Sequence, residues 1–198
     1  MKLFLISLTV VLFLGCSSIK PPVTEYRIVT DNKVTKSVSS ACKDKSLKVA
    51  KAFSSSSLMS MKMNYMLTNN QTFSYSQAQW SDTPNRAVSL EILRQIRASG
   101  LFKYIQSSKT RSKSDLILET YIEDFTQYYN DELSQSYANV VISFSLIDLK
   151  TNDVIASKLF KSRATTDTLD ALGGSKALNK ALGDVLYKNI KWLGEVCK

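Results

Sequence analysis

The sequence has no histidine among its 198 residues, and only 3 Cys, 3 Pro and 6 Gly. Without histidine there is no Ser-His-Asp or Cys-His nucleophile pair, no His-based zinc site and no imidazole pH switch. So little Gly and Pro excludes collagen-like and low-complexity chains, and three cysteines are too few for a disulfide-knot scaffold. There is no Gly-x-x-x-x-Gly-Lys-Ser/Thr run, hence no phosphate loop for nucleotide hydrolysis. Acidic residues are outnumbered, 17 Asp and Glu against 26 Lys and Arg, a formal charge of +9. Such a surplus suits nucleic acid, an anionic membrane surface, or plain solubility. The rest of the composition, 44% hydrophobic and 10% aromatic, is that of a compact globular chain.

The N-terminus narrows the choice. Lys2 is followed by an apolar run from Leu3 to Leu14, broken only by Ser7 and Thr9. It has the length of a signal-peptide core and is too short to cross a bilayer comfortably. It ends in Leu12-Phe13-Leu14-Gly15-Cys16, which resembles the lipobox of bacterial lipoproteins. That resemblance implies cleavage after Gly15 and a covalent lipid on Cys16 as the membrane anchor. It makes residues 1–15 a signal, 16–24 a lipidated tether with two prolines, and 25–198 one domain. By resemblance to the enterobacterial sorting rule, Ser17 rather than Asp implies the periplasmic face of the outer membrane. An export signal also sets nucleic acid aside as a partner. Cys42 and Cys197 remain. In an exported protein they are a candidate disulfide closing a long loop, or else two separately buried thiols.

Along the mature chain, residues 25–30 predict a short strand and residues 31–45 a polar, basic loop. Leu47 to Phe53 predicts a second strand, ended by the serines at 54–57. Met59, Met61, Met63 and Tyr65 alternate onto one face of a strand, and 72–79 returns after the Asn69-Asn70 turn as a hairpin. Asp82, Thr83 and Pro84 open a helix carrying Val88, Ile92, Leu93 and Ile96, which Gly100 ends. A short strand at 102–106 and a basic loop at 107–114 follow. Alternation of Leu116, Leu118, Thr120 and Ile122 predicts a strand, followed by an acidic, tyrosine-rich stretch at 125–133. Ala138, Val140, Ile142, Phe144 and Leu146 give the cleanest alternation in the chain, paired across Thr151-Asn152-Asp153 with 154–163. Leu178, Leu182, Val185, Leu186, Ile190 and Leu193 form one stripe of a closing helix. Together these predict an α+β fold: an antiparallel-rich sheet with two principal helices packed on one face.

Several features in this order resemble the ABC-type transport auxiliary lipoproteins, the family of the paraquat-inducible operon's lipoprotein component. They are Tyr26, Tyr65 on its strand, Trp80 followed by Pro84 and its helix, and Ser99-Gly100-Leu101-Phe102. Leu116 and Leu118 then run to Phe125, a strand pair ends near Phe160, and Ala177-Leu178 and Ala181-Leu182 lead to Trp192-Leu193. Gln79 departs from the basic residue common before the Trp, and the Cys42 and Cys197 pair is not a family-wide feature. The resemblance implies a non-enzymatic auxiliary subunit of an ABC transporter whose substrate-binding protein is of the mammalian-cell-entry (MCE) type. Such systems move lipids between membranes. The subunit would act in docking or bridging, need no cofactor beyond its own lipid, and be compatible with a homo-oligomer. A lipid-binding carrier and a structural envelope lipoprotein are the alternatives.

The residues offer several candidate contacts. Trp80 reads either as an interface anchor or as a core plug. Tyr121, Phe125, Tyr128, Tyr129 and Tyr137 stand among acids, a pattern that suits a protein interface or a solvated hairpin. The Met stripe is either core or an adaptable apolar surface, and with no Cys or His beside it is a weak copper site. Lys103, Lys109, Arg111 and Lys113 would meet anionic headgroups, an acidic partner or only water. Scattered carboxylates do not make a catalytic pair. Replacing Cys16→Ser is expected to abolish incorporation of labelled palmitate and shift the protein out of the membrane fraction. Label retained by that variant would place the anchor elsewhere.

Overall fold

The computed structural model describes residues 21–31 and 42–196. The signal segment, Cys16, Cys197 and most of the predicted 31–45 loop lie outside them. The fold is built on one long strand, β7 (Leu116–Tyr129), paired antiparallel along its whole length with β8 (Ser136–Asp148). β8 pairs in turn with β9 (Val154–Thr165) across the turn at Asn152, whose φ is 62°. The other edge of β7 is shared. Its first half pairs in parallel with β2 (Ser46–Val49) and β3 (Phe53–Ser54), and its last residues with β4 (Lys62–Leu67). β4 forms the expected hairpin with β5 (Thr72–Trp80); β1 (Thr24–Tyr26) lies parallel to β5, and β6 (Tyr104–Ser107) parallel to β2. The sheet therefore has nine strands and is mixed. The antiparallel-rich expectation holds for the long ladders only, because β2, β3 and β4 all run beside β7 in its own direction.

A bulge in β7 between Ile122 and Asp124 sets the core. Before it, Leu116, Leu118, Thr120 and Ile122 point inward. The extra residue reverses the parity, so that Phe125, Gln127 and Tyr129 are buried after it. The tyrosine-rich stretch expected as a separate segment is thus the continuation of one 14-residue strand. β8 keeps a single phase, burying Ala138, Val140, Ile142, Phe144 and Leu146 to 0–1% exposure. Each of the four larger side chains contributes about 1.5–3 kcal/mol on burial.

The inner face is covered by two helices, α1 (Pro84–Ser99) and α2 (Ala171–Val196). α1 starts with Pro84 at its first position and stops at Gly100, whose φ of 66° is the left-handed conformation that glycine adopts without strain. α2 begins earlier than the apolar stripe predicts. The Asp170 carboxylate accepts from Gly173 N at 2.8 Å, a bond to the helix's first turn that holds this carboxyl below its ordinary range. A Cβ on Gly174 would lie 1.9 Å from Gln127 Oε1, so this glycine lets α2 press directly on the sheet.

The predicted strand at 25–30 is shorter than expected, because residues 27–31 leave the sheet and bind the two helices. Asn179 of α2 donates to Arg27 O at 3.1 Å and accepts from Val29 N at 3.2 Å. Thr30 is 3% exposed and donates through N and Oγ1 to Glu91 Oε2 on α1, at 2.9 and 2.8 Å. Gln95 Nε2 donates to Thr30 Oγ1 at 2.8 Å, and Arg94 reaches Thr30 O and pairs with Glu91 at 2.6 Å. Desolvation pushes the Glu91 carboxyl up, but its bonds from Arg94 and Thr30 outweigh this and hold it below its ordinary value. Its contribution to stability is therefore present above the unfolded carboxylate range and lost as pH falls through the depressed folded value. Glu91→Gln is expected to cost about 1–3 kcal/mol at pH 7 in denaturant unfolding. The gap between the variant and the parent should close as the pH falls below that range.

Candidate docking face

Parity along the strands decides what the outer face of the sheet presents. Ser54, Ile122, Ile142 and Phe160 point inward, so the register places Phe53, Tyr121, Ser143 and Leu159 side by side on the outside, across β3, β7, β8 and β9. Phe53 is 73% exposed, and Tyr121 and Leu159 are each 48% exposed. Two exposed aromatic rings and a leucine in one row of regular sheet are unusual, since an outward strand face normally carries polar side chains. Beside it, β2 leaves β7 after Val49 and β3 rejoins it at Phe53. The intervening residues wall a depression of about 280 Å³, lined by Ala50, Lys51, Phe53, Glu119, Tyr121 and Ser145.

The bulge at Ile122/Asp124 turns a second group onto the same face. Tyr128 and Tyr137 stack with centroids 5.3 Å apart at 11°, and the Arg163 guanidinium lies 4.9 Å from the Tyr137 ring. Asp124 Oδ2 accepts from Tyr128 Oη at 2.9 Å and from Asn139 Nδ2 at 2.7 Å. Arg163 Nε donates to Asn139 Oδ1 at 3.2 Å. Burial and the Asp124 carboxylate push the Tyr128 hydroxyl well above the ordinary tyrosine range, so it stays a neutral donor. These bonds fix the rings in place, which lowers the entropy lost when a partner covers them.

The structure separates the sequence candidates. Tyr121 and Tyr128 lie on the outer face. Trp80, Phe125 and Tyr129 do not: they are 3%, 4% and 4% exposed. Trp80 packs on Phe125 at 5.9 Å between ring centroids, and this core pair follows from the bulge. Tyr129 belongs to an internal polar knot. Its hydroxyl lies 2.7 Å from Tyr75 Oη and accepts from Gln127 Nε2 at 2.9 Å; Gln127 also donates to Ser136 Oγ and accepts from Tyr75 Oη. Gln127 is 0% exposed, and these partners are what allow an amide to sit there. The Met stripe is split. Met63 is core at 0%, whereas Met59, in a 3₁₀ turn (Ser56–Met59), and Met61 are 52% and 43% exposed. Lys103, Lys109, Arg111 and Lys113 are exposed around β6 and the loop after it. Cys42 is 2% exposed; Cys197 lies outside the described residues. Phe53 and Arg163 are not candidates from sequence, whereas Tyr137 is, and the structure places it on the outer face. Only the alternation at 137–147 signals that Tyr137 faces outward, and nothing local marks the two-residue β3.

Among the described residues, no group of three or more Cys, Asp or Glu could hold a metal ion. No described helix is long and apolar enough to cross a membrane. No family profile and no curated protein matches the sequence. The fold is shared with the crystal structure of protein XCC0632 from Xanthomonas campestris, of the family DUF330. The TM-score is 0.76 and the identity 20%, over 87% of this chain and 96% of that one. A second crystal structure, of an uncharacterized protein, aligns at TM-score 0.67 and 10% identity over 87% and 99%. At these identities the likeness is one of fold.

The core and face assignments differ in their energetic consequences. Phe125→Ala is expected to cost about 3–5 kcal/mol, as a large buried ring removed from a packed core. Phe53→Ser should stay within about 0.5 kcal/mol, as an exposed change touching little. Denaturant unfolding of both variants checks the assignment, and equal losses would contradict it.

Proposed function

We propose that this chain is a non-enzymatic lipoprotein, anchored through Cys16 in the outer membrane with its domain in the periplasm. It serves as the docking or bridging subunit of an ABC/MCE-type lipid-transport system. The observation that carries the reading is the exposed apolar row Phe53, Tyr121 and Leu159, held on regular sheet in a chain whose residues 12–16 resemble a lipobox. A bridging subunit needs a membrane end and a protein-binding end. The lipidated N-terminus supplies the first, and the outer face supplies an anchor-rich surface of low entropy cost for the second. The fold shared with the DUF330 structure is consistent with this reading.

The strap at residues 27–31 gives the tether a mechanical role. Load from the anchor meets the three-residue β1 first, and the strap behind it, bonded to both helices, resists any further peeling. A Cys42–Cys197 disulfide would reinforce the far end of α2, which runs to Val196, and the burial of Cys42 is compatible with it. The carrier alternative draws no support from the Met stripe, which lines no common cleft once Met63 is core and Met59 and Met61 are exposed.

The test is a crosslinking pull-down of the lipidated protein from cells. An MCE-type protein should be recovered with the parent chain, and recovery should fall about tenfold with Phe53→Glu and Tyr121→Glu combined, since central aromatic anchors each contribute on the order of 1–2 kcal/mol. Absence of any such partner, under conditions that preserve a known envelope complex, would leave a structural lipoprotein.

A further inference from the structure

Among the described residues β9 is paired on one side only, with β8. Its hydrogen-bond phase follows from a single contact. Thr166 N donates to Ser136 O at 3.2 Å, so Ser136 and Thr166 form a bonded pair. By alternation, Lys158, Phe160, Ser162 and Ala164 spend their backbone groups on β8. Ser157, Leu159, Lys161 and Arg163 then direct N–H and C=O away from the sheet. Lys188 Nζ, reaching Lys161 O at 3.0 Å, bonds one of these groups from the open side, as this phase requires. No other described group takes them.

The side chains along this edge share one chemistry. β9 contains no Asp, Glu, Pro or Gly. Leu159, Lys161 and Arg163 stand on the outer face with Tyr121 and Tyr137, and Lys158 lies on the other face, 5.6 Å from the Phe160 ring. None of the three cations has a carboxylate partner among the described residues. An incoming strand would hydrogen-bond at the four outward positions. Its residues directly opposite them would lie on the outer face, where Leu159 selects an apolar side chain and Lys161 and Arg163 select carboxylates. A second copy of β9 would instead bring two sets of Lys158, Lys161 and Arg163 together, a like-charge clash that guards the edge against self-pairing.

We propose that the free edge of β9 receives an extended acidic and apolar segment of a protein partner by strand addition. This rests on the docking reading and names its mode. The probe is a ten-residue peptide in which Val, Glu and Glu alternate with Thr, together with its Lys-for-Glu counterpart, titrated against the full-length chain in neutral detergent. The amides of Ser157, Leu159, Lys161 and Arg163 should gain hydrogen-exchange protection with the acidic peptide only. The double variant Lys161→Glu, Arg163→Glu should weaken that peptide at least about tenfold, from the summed reversal of two cross-strand charge pairs. Ser157→Pro, which removes an outward N–H and keeps the backbone bonds to β8 while losing one exposed hydroxyl contact with Ser145, should weaken it with little change in the Tm. Equal binding of both peptides, or protection at Phe53 and Tyr121 with none at the four edge amides, would overturn the proposal. Self-association abolished by Ser157→Pro would overturn it in favour of a second copy. If the charge-reversed chain still captures an MCE-type protein from cells at the parent level, strand addition fails while the docking reading stands.

Discussion

The β7 bulge between Ile122 and Asp124 is the constraint on which the rest of the molecule depends. One strand of 14 residues has to serve two sets of neighbours, β2 and β3 along its first half and β4 along its end. A single extra residue changes which parity is buried. It brings Phe125 under Trp80 and Gln127 under Gly174, and it turns Asp124 and Tyr128 to the surface. Core, polar knot and outer aromatic cluster are therefore consequences of one insertion, and none can be altered without the others.

Two internal polar assemblies hold the helices to this sheet. The knot of Tyr75, Gln127, Tyr129 and Ser136 lies where α2 begins, and the cluster of Thr30, Glu91, Arg94 and Gln95 clamps the N-terminal segment to α1. Both are buried, so each requires near-complete hydrogen bonding to avoid a desolvation cost. The second follows directly on β1, which has only three residues, so its bonds to α1 would stop any peeling that begins there.

The surface is built on the same economy. The outer face presents Phe53, Tyr121 and Leu159 in one row, with Tyr128, Tyr137 and Arg163 locked beside them. β9 continues that row to an edge whose backbone is open and whose charge is of one sign. Face and edge are contiguous through Leu159, so an extended partner segment on the edge and a folded body on the face fit one binding mode. The cations on the edge discourage self-pairing and favour an acidic partner, so one feature serves both solubility and selectivity.

Part of this was legible in the residues alone. α1 is bounded by Pro84 and Gly100, whose backbone limits act at their own positions, and the alternation of β8 is a local pattern that the fold keeps. Sequence also carried the α+β class, because strand and helix periodicities are read over short windows. What tertiary structure alone decided is which aromatic residues are inside. Trp80 reads as an anchor or a core plug, Phe125 and Tyr129 stand as contact candidates beside Tyr121 and Tyr128, and all three are buried. Their facing depends on a one-residue bulge and on strands from distant parts of the chain, and periodicity within a segment carries no record of either. Phe53 shows the converse: its exposure follows from a two-residue pairing with Tyr121, a contact whose register is set by the partner strand and not by its own neighbours.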